Sequence, residues 1–156
     1  MLSSGRSGQR RPPLLLTSGA PLALIVITLV ALGLTGNLLS RSLPVIAVQL
    51  AAVALNLWAR ASFAKGAFRV GAAPAGSSLM RGGPYRLVRH PMYAAVLLFL
   101  WAGVAAHASA LTMAAGLVVT VVVVARVFAE ERLLSLRYPD YRAYARATWA
   151  LVPFVF

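Results

Sequence analysis

Two stretches of this chain gather the residue types from which chemistry is built. One is RGGPYRLVRHPMY, residues 81–93; the other runs from Arg126 through the adjacent Glu130 and Glu131 to Tyr144. The arginines and His90 offer cations, with the imidazole also able to take or give a proton near neutral pH. Two carboxylates offer anions and general bases, and tyrosine faces offer electron-rich surfaces to a cation. Other chemistries are excluded. Cysteine is absent from the 156 residues, which removes disulfides, thiolate metal ligands and thiol nucleophiles. His90 and His107 fall at opposite ends of one apolar segment, too far apart on a straight helix to share an ion, so no metal is expected. Arg126 and Glu130 are four apart and share a helical face, whereas Glu131 points about 100 degrees away. Acids this close to an apolar run are costly unless paired, which makes them functional candidates.

The elements that must position these residues are greasy. Hydrophobic residues make up 60% of the chain and charged ones only 12%, with a mean hydropathy of +0.80. That is too apolar for a water-soluble domain of this size. The expected fold is therefore all-α, an integral membrane bundle of four transmembrane helices with a cytoplasmic amphipathic C-terminal tail. A polar Gly/Ser/Arg/Pro leader, 1–19, reads as flexible, and 20–156 reads as one membrane domain with its catalytic core at 81–153. The spans are expected at about 22–40, 43–60, 91–106 and 110–129, with Pro21, Pro44 and Pro91 placed to open three of them. Arg10 and Arg11 before the first run suggest a signal peptide. However, the run is long enough to span and no small-x-small site follows it, so a retained helix is expected. LVVTVVVVARVF, 117–128, is rich in β-branched residues, but its length and lack of a partner strand argue for a helix. Residues 65–91 read as a loop with short helical pieces, and 107–109 as a hairpin turn.

Net charge is +12, from fifteen Lys and Arg against three acids. The basic residues flank the apolar runs and suit anionic membrane lipids, so no nucleic-acid partner is expected. Lys and Arg number three in the leader, one at Arg41, six from Arg60 to Arg89, none in 107–109 and five from Arg126 onward. This alternation predicts four spans with both termini in the cytoplasm. A short hairpin between the third and fourth helices would make them adjacent and bring the two polar clusters together at the cytoplasmic face.

GPYRLVRHPMY followed some forty residues later by EERLL, YPDYRAY and a terminal LVP resembles the isoprenylcysteine carboxyl methyltransferase family, relatives of the phospholipid N-methyltransferases. The resemblance covers 81–153, about half the chain. It implies a pocket for S-adenosylmethionine, built from the RHP-x-Y segment and the paired glutamates, with substrate entering laterally from the bilayer. Carried over position by position, it implicates Tyr85, Arg89, His90, Pro91, Tyr93, Glu130, Glu131, Tyr141 and Tyr144.

The residue types fit the same cofactor. The free backbone N–H groups of the helix turn that Pro91 opens, with Arg86, Arg89 or His90, can hold its carboxylate. Glu130 or Glu131 can take its ammonium, and tyrosine faces can favour the sulfonium by roughly 0.5–2 kcal/mol each. Methyl transfer is an in-line displacement governed by positioning. An ionised carboxylate acceptor would need an orienting cation such as Arg89 or Arg126. A phenol, enol or amine would need a base, with Glu130, Glu131 and His90 as candidates. Resemblance favours oxygen as acceptor atom, on an isoprenylcysteine-type or lipid carboxylate or a phenolic polyketide lipid. Methylation of a phospholipid amine is the alternative. The Ala, Arg and Gly usage resembles a GC-rich bacterium, whose plasma membrane would house the protein and supply a small lipid substrate. A non-catalytic scaffold or transporter subunit is the rival from another class. Each residue also has an ordinary role: Arg86 and Arg89 as flank charges, Glu130 and Glu131 as neutralisers of Arg126 and Arg132, and the tail tyrosines as interface anchors. Asn56 and Gln49 are expected to hydrogen-bond between helices, Trp58 and Trp101 to pack or join the aromatic belt, and His107 to serve a turn.

Overall fold

The computed structural model describes residues 19–62 and 79–153, so positions 1–18 of the leader, Lys65, Arg69 and the last residues of the tail lie outside the described residues. Among the described residues five α-helices follow one another: α1 Ala20–Leu34, α2 Leu43–Ala61, α3 Pro91–Ala106, α4 Ala110–Arg137 and α5 Tyr141–Arg146, with one 3₁₀ turn at Gly83–Arg86. Proline occupies the first turn of α1, α2 and α3, where its missing N–H is no loss. Among the described residues, α2 with 19 residues and α4 with 28 are long and apolar enough to cross a membrane; α1 and α3 are apolar but shorter.

Two helix ends differ from expectation. The run expected at 22–40 breaks at Leu34, because Gly36 adopts φ 71° and closes a C-terminal cap in which Asn37 N–H bonds Leu32 O at 2.8 Å and Gly36 N–H bonds Gly33 O at 3.1 Å. At the other end, α4 runs past the expected limit of 110–129 to Arg137. The Glu, Arg and Leu residues there are strong helix formers, so a change in polarity does not stop the helix. Pro139 then separates α4 from α5.

Consecutive helices α1 and α2 pack on different partners, α1 against α4 and α2 against α3, while α3 and α4 pack on each other. The α1–α2 connection makes this arrangement by crossing α3. Leu38 is buried with its carbonyl against Gly103, leaving no room for a Cβ there. Gln49 Nε2 donates to Leu38 O at 2.8 Å and to Phe99 O at 3.5 Å, the expected interhelical role. Asn56 differs: it accepts from Arg60 Nε at 2.9 Å within its own helix. His107 ends α3 and its Nε2 lies 2.8 Å from Leu39 O, tying the two connections at this end together.

Residues 107–109 form the expected hairpin, locked by a capping box between Ser109 and Thr112. Tyr93 pairs with Glu130, Trp101 with Thr120 at 3.1 Å, and Gly116 lies beneath Trp101 and Val104, so partners move in opposite directions and α3 and α4 are antiparallel. The buried stripe of α4 contains Thr112, Gly116, Val119, Val123 and Val127, spaced three to four apart, with Arg126 three residues after Val123 beside it. It meets Leu100 and Val104 of α3 and Ile25 and Leu32 of α1. Leu24, Ile27, Leu50, Leu57 and Val121 are exposed, leaving an apolar outer surface.

Candidate functional site

The approach to α3 is built by backbone constraints. Gly83 has φ 55° and sits so close to Ser62 and Trp58 of α2 that a Cβ would collide, which docks the 3₁₀ turn on the end of α2. Pro84 and Tyr85 are buried by that turn, and Pro91 opens α3 with His90 as its N-cap. After α5 the chain returns beside this segment in a short parallel bridge. Trp149 N–H bonds Leu87 O at 3.0 Å, Arg89 N–H bonds Trp149 O at 2.7 Å and His90 N–H bonds Ala150 O at 3.0 Å. The approach to α3, the end of α4 and the chain after α5 therefore meet at one place.

At that place His90 stands between the two glutamates. Its Nδ1 lies 3.5 Å from Glu130 Oε2 and its Nε2 lies 3.5 Å from Glu131 Oε1. The roughly 100-degree divergence of Glu130 and Glu131 on α4 is thus bridged by opposite edges of one imidazole. On one side, Arg126 Nε donates to Tyr93 OH at 2.5 Å and Tyr93 OH donates to Glu130 Oε1 at 2.5 Å. Arg126 Nε also lies 3.3 Å from Glu130 Oε1. On the other side, Arg89 Nε donates to Glu131 Oε1 at 2.8 Å. The result is a continuous row: Arg126, Tyr93, Glu130, His90, Glu131, Arg89. Arg126 is fully buried, and it lies beside the buried stripe of α4, so its charge depends on Glu130.

The aromatic residues surround this row. His90 stacks on Tyr93 with ring centroids 5.9 Å apart. Tyr141 and Tyr144 are buried and meet edge to face at 6.2 Å, and Tyr144 OH donates to Tyr85 O at 2.6 Å. Arg81 lies 5.7 Å from the Tyr144 ring centroid, a cation–π contact, with Asp140 at 3.9 Å. Burial of His90 disfavours its charged form, but the hydrogen-bonding and charge of Glu130 and Glu131 outweigh that and hold its pKa above the usual histidine value. Burial pushes the Tyr144 phenol up to about 12, and those of Tyr85 and Tyr141 up as well, so all three are neutral donors near pH 7.

Besides the 3.5 Å approach of Glu131 Oε1, buried His90 Nε2 makes no closer hydrogen bond among the described residues, and buried Tyr141 OH meets no hydrogen-bond partner within 3.5 Å there. A cavity of about 380 Å³ is lined by Arg89 and by Ala145, Arg146, Ala147, Thr148, Trp149 and Ala150. Such a volume suits a small ligand. No group of three or more His, Asp or Glu side chains arranged to hold a metal occurs among the described residues; the glutamates face opposite nitrogens of His90.

Of the residues singled out in the sequence, the structure brings together Arg89, His90, Tyr93, Arg126, Glu130 and Glu131, with Tyr85, Pro91, Tyr141 and Tyr144 buried around them. Arg86 stands apart, exposed at the end of the 3₁₀ turn. Sequence reasoning missed Arg81 as a ring partner and the backbone of 145–150 as a cavity wall. The alternation of arginines and tyrosines around YPDYRAYAR hinted at the first; no side-chain pattern marks the second.

The family model described as phospholipid methyltransferase matches residues 41–141, which include every helix from α2 to α4 and both glutamates. The cobalt-zinc-cadmium resistance protein CzcN of Cupriavidus metallidurans is 35% identical over 78 residues, 49% of this chain and 36% of that relative. The match thus spans about a third of the relative's length. No solved structure matches.

Proposed function

We propose that this chain, which belongs to the phospholipid methyltransferase family, is an S-adenosylmethionine-dependent integral membrane methyltransferase acting on a lipophilic acceptor drawn from the bilayer. One observation carries the reading: His90 at the start of α3 lies 3.5 Å from each of two glutamates on α4. The residues fit the donor by their chemistry. The buried Tyr141 OH can take a polar group, Glu131 meets Arg89 and His90 through Oε1 and leaves Oε2 out of those two contacts, and the tyrosine faces suit a cation. S-adenosylmethionine supplies, when bound, an electrophilic methyl on a sulfonium. The chain's own residues bind and orient it, exclude water through the buried tyrosines, and receive any proton the acceptor gives up.

The geometry also bears on the acceptor. Both arginines expected to orient a carboxylate are engaged internally, Arg89 by Glu131 and two backbone carbonyls and Arg126 by Tyr93 and Glu130. An acceptor that loses a proton, such as a phospholipid amine or a phenolic lipid, makes better use of the Glu130 carboxylate than a carboxylate acceptor does. We place four helices, α1 to α4, across the bilayer with the site at the inner leaflet and both termini cytoplasmic. Purified protein incubated with methyl-labelled S-adenosylmethionine and a panel of lipid amines, phenols and acids should label an amine or phenol first. His90→Ala and Glu130→Gln should lose donor binding in calorimetry while inserting normally. Full donor affinity in both variants is the outcome that rejects this pocket.

A further inference from the structure

The geometry points to Arg89 as a positioning residue that latches the chain after α5 over the ligand cavity, a role resting on the functional reading above. Its guanidinium joins three parts of the molecule. Nε holds Glu131 of α4 at 2.8 Å, and Nη1 donates to Ala145 O at 2.8 Å and to Thr148 O. Those carbonyls lie at and beyond the last turn of α5, where a cation is favoured and the carbonyls lack helical donors. The backbone of Arg89 adds its bond to Trp149 O at 2.7 Å, so one residue grips the returning segment by both main chain and side chain.

What is gripped is the cavity wall. Every residue lining the cavity besides Arg89 belongs to 145–150. The same guanidinium sets Glu131 Oε1 at 3.5 Å from His90 Nε2, so the wall and the donor-binding carboxylate are registered to one another through Arg89. Because its Nε and Nη1 serve the protein's own fold, Arg89 acts through the wall and Glu131 rather than on a reacting atom. Its loss should therefore loosen binding of the donor and leave the chemical step, once the site is filled, nearly intact.

Arg89→Gln and Arg89→Lys test this in the full chain in detergent, with helicity by circular dichroism as the check on folding. Hydrogen exchange of the Trp149 amide, which bonds Leu87 O at 3.0 Å, reads the latch without any ligand. Arg89→Gln should speed that exchange and raise the KM for S-adenosylmethionine by roughly tenfold or more, with kcat at saturating donor within about threefold. Arg89→Lys keeps the charge but cannot span Glu131 and two carbonyls, so it should fall between, and it carries the test if the glutamine variant does not fold. Unchanged exchange, or a large loss of kcat at unchanged KM, overturns the latch. Failure of the wild-type chain to bind S-adenosylmethionine in calorimetry overturns the functional reading instead, and the exchange result then decides the latch alone.

Discussion

A histidine between two carboxylates ties stability to pH in a defined direction. His90 carries a pKa raised above its ordinary value, so the stabilisation from its charged form is fully present below the unfolded value of about 6.5 and is lost as pH rises through the folded value. Thermal unfolding in detergent between pH 5.5 and about 9 should show the wild-type midpoint falling as pH rises above about 6.5, with a shallower slope for His90→Gln. Equal slopes would show that the imidazole is not held charged by Glu130 and Glu131. Arg126 makes the complementary case. It is fully buried, so Arg126→Leu takes away the guanidinium that Tyr93 and Glu130 face, leaves Glu130 to His90 and should destabilise by roughly 1.5–3 kcal/mol. Removing the charge from its partner as well, in Arg126→Leu with Glu130→Gln, should recover part of that loss in a double-mutant cycle. The identities of these residues were legible from spacing, because Arg126 and Glu130 lie four apart and RHP precedes a helix. Their partners across α3 and α4 were legible only through the hairpin.

Elements were legible where local chemistry decides them. The prolines at 44 and 91 and the turn at 107–109 set three helix ends as expected, since each acts through its own backbone geometry. The end of α1 was not, because the apolar run continues through Leu38 and Leu39 while a single glycine turns the chain. The seating of the α1–α2 connection on α3 could not be read at all. It depends on Gly103, whose lack of a side chain lets the Leu38 carbonyl approach from a distant part of the chain. That contact makes a prediction. Gly103→Ala forces backbone against a methyl group and should destabilise by about 1–3 kcal/mol, the usual range for overpacking. Gly19→Ala, where nothing lies within 4 Å, should leave the unfolding midpoint in place and serves as control. A neutral Gly103→Ala would mean that α1 and α2 do not depend on α3 to splay apart.

At the scale of the whole molecule the described helices are unequal, and α2 and α4 are the two among them long and apolar enough to cross a membrane. With 28 residues, α4 is about 42 Å long at 1.5 Å per residue, against a hydrocarbon core of about 30 Å. Its final turns, bearing Glu130 and Glu131, therefore reach beyond the hydrocarbon once its N-terminal end is set at the opposite face. With 15 and 16 residues, α1 and α3 are shorter than that core, so in the proposed four-span arrangement the connections at 35–42 and 79–90 would have to extend their reach. In the proposed arrangement the cluster faces the cytoplasm and the hairpin at 107–109 faces away. The absence of cysteine makes the test clean, because each introduced thiol is the chain's only one. Ser109 and Arg142 are both exposed, and they lie at opposite ends of the α3–α4 pair. Ser109→Cys in intact cells should react with a membrane-impermeant maleimide, and Arg142→Cys should react only after the membrane is opened. Labelling of both from the same side would place His90 and the hairpin in one compartment, and a donor site fed from the cytosol could not then be built on this bundle.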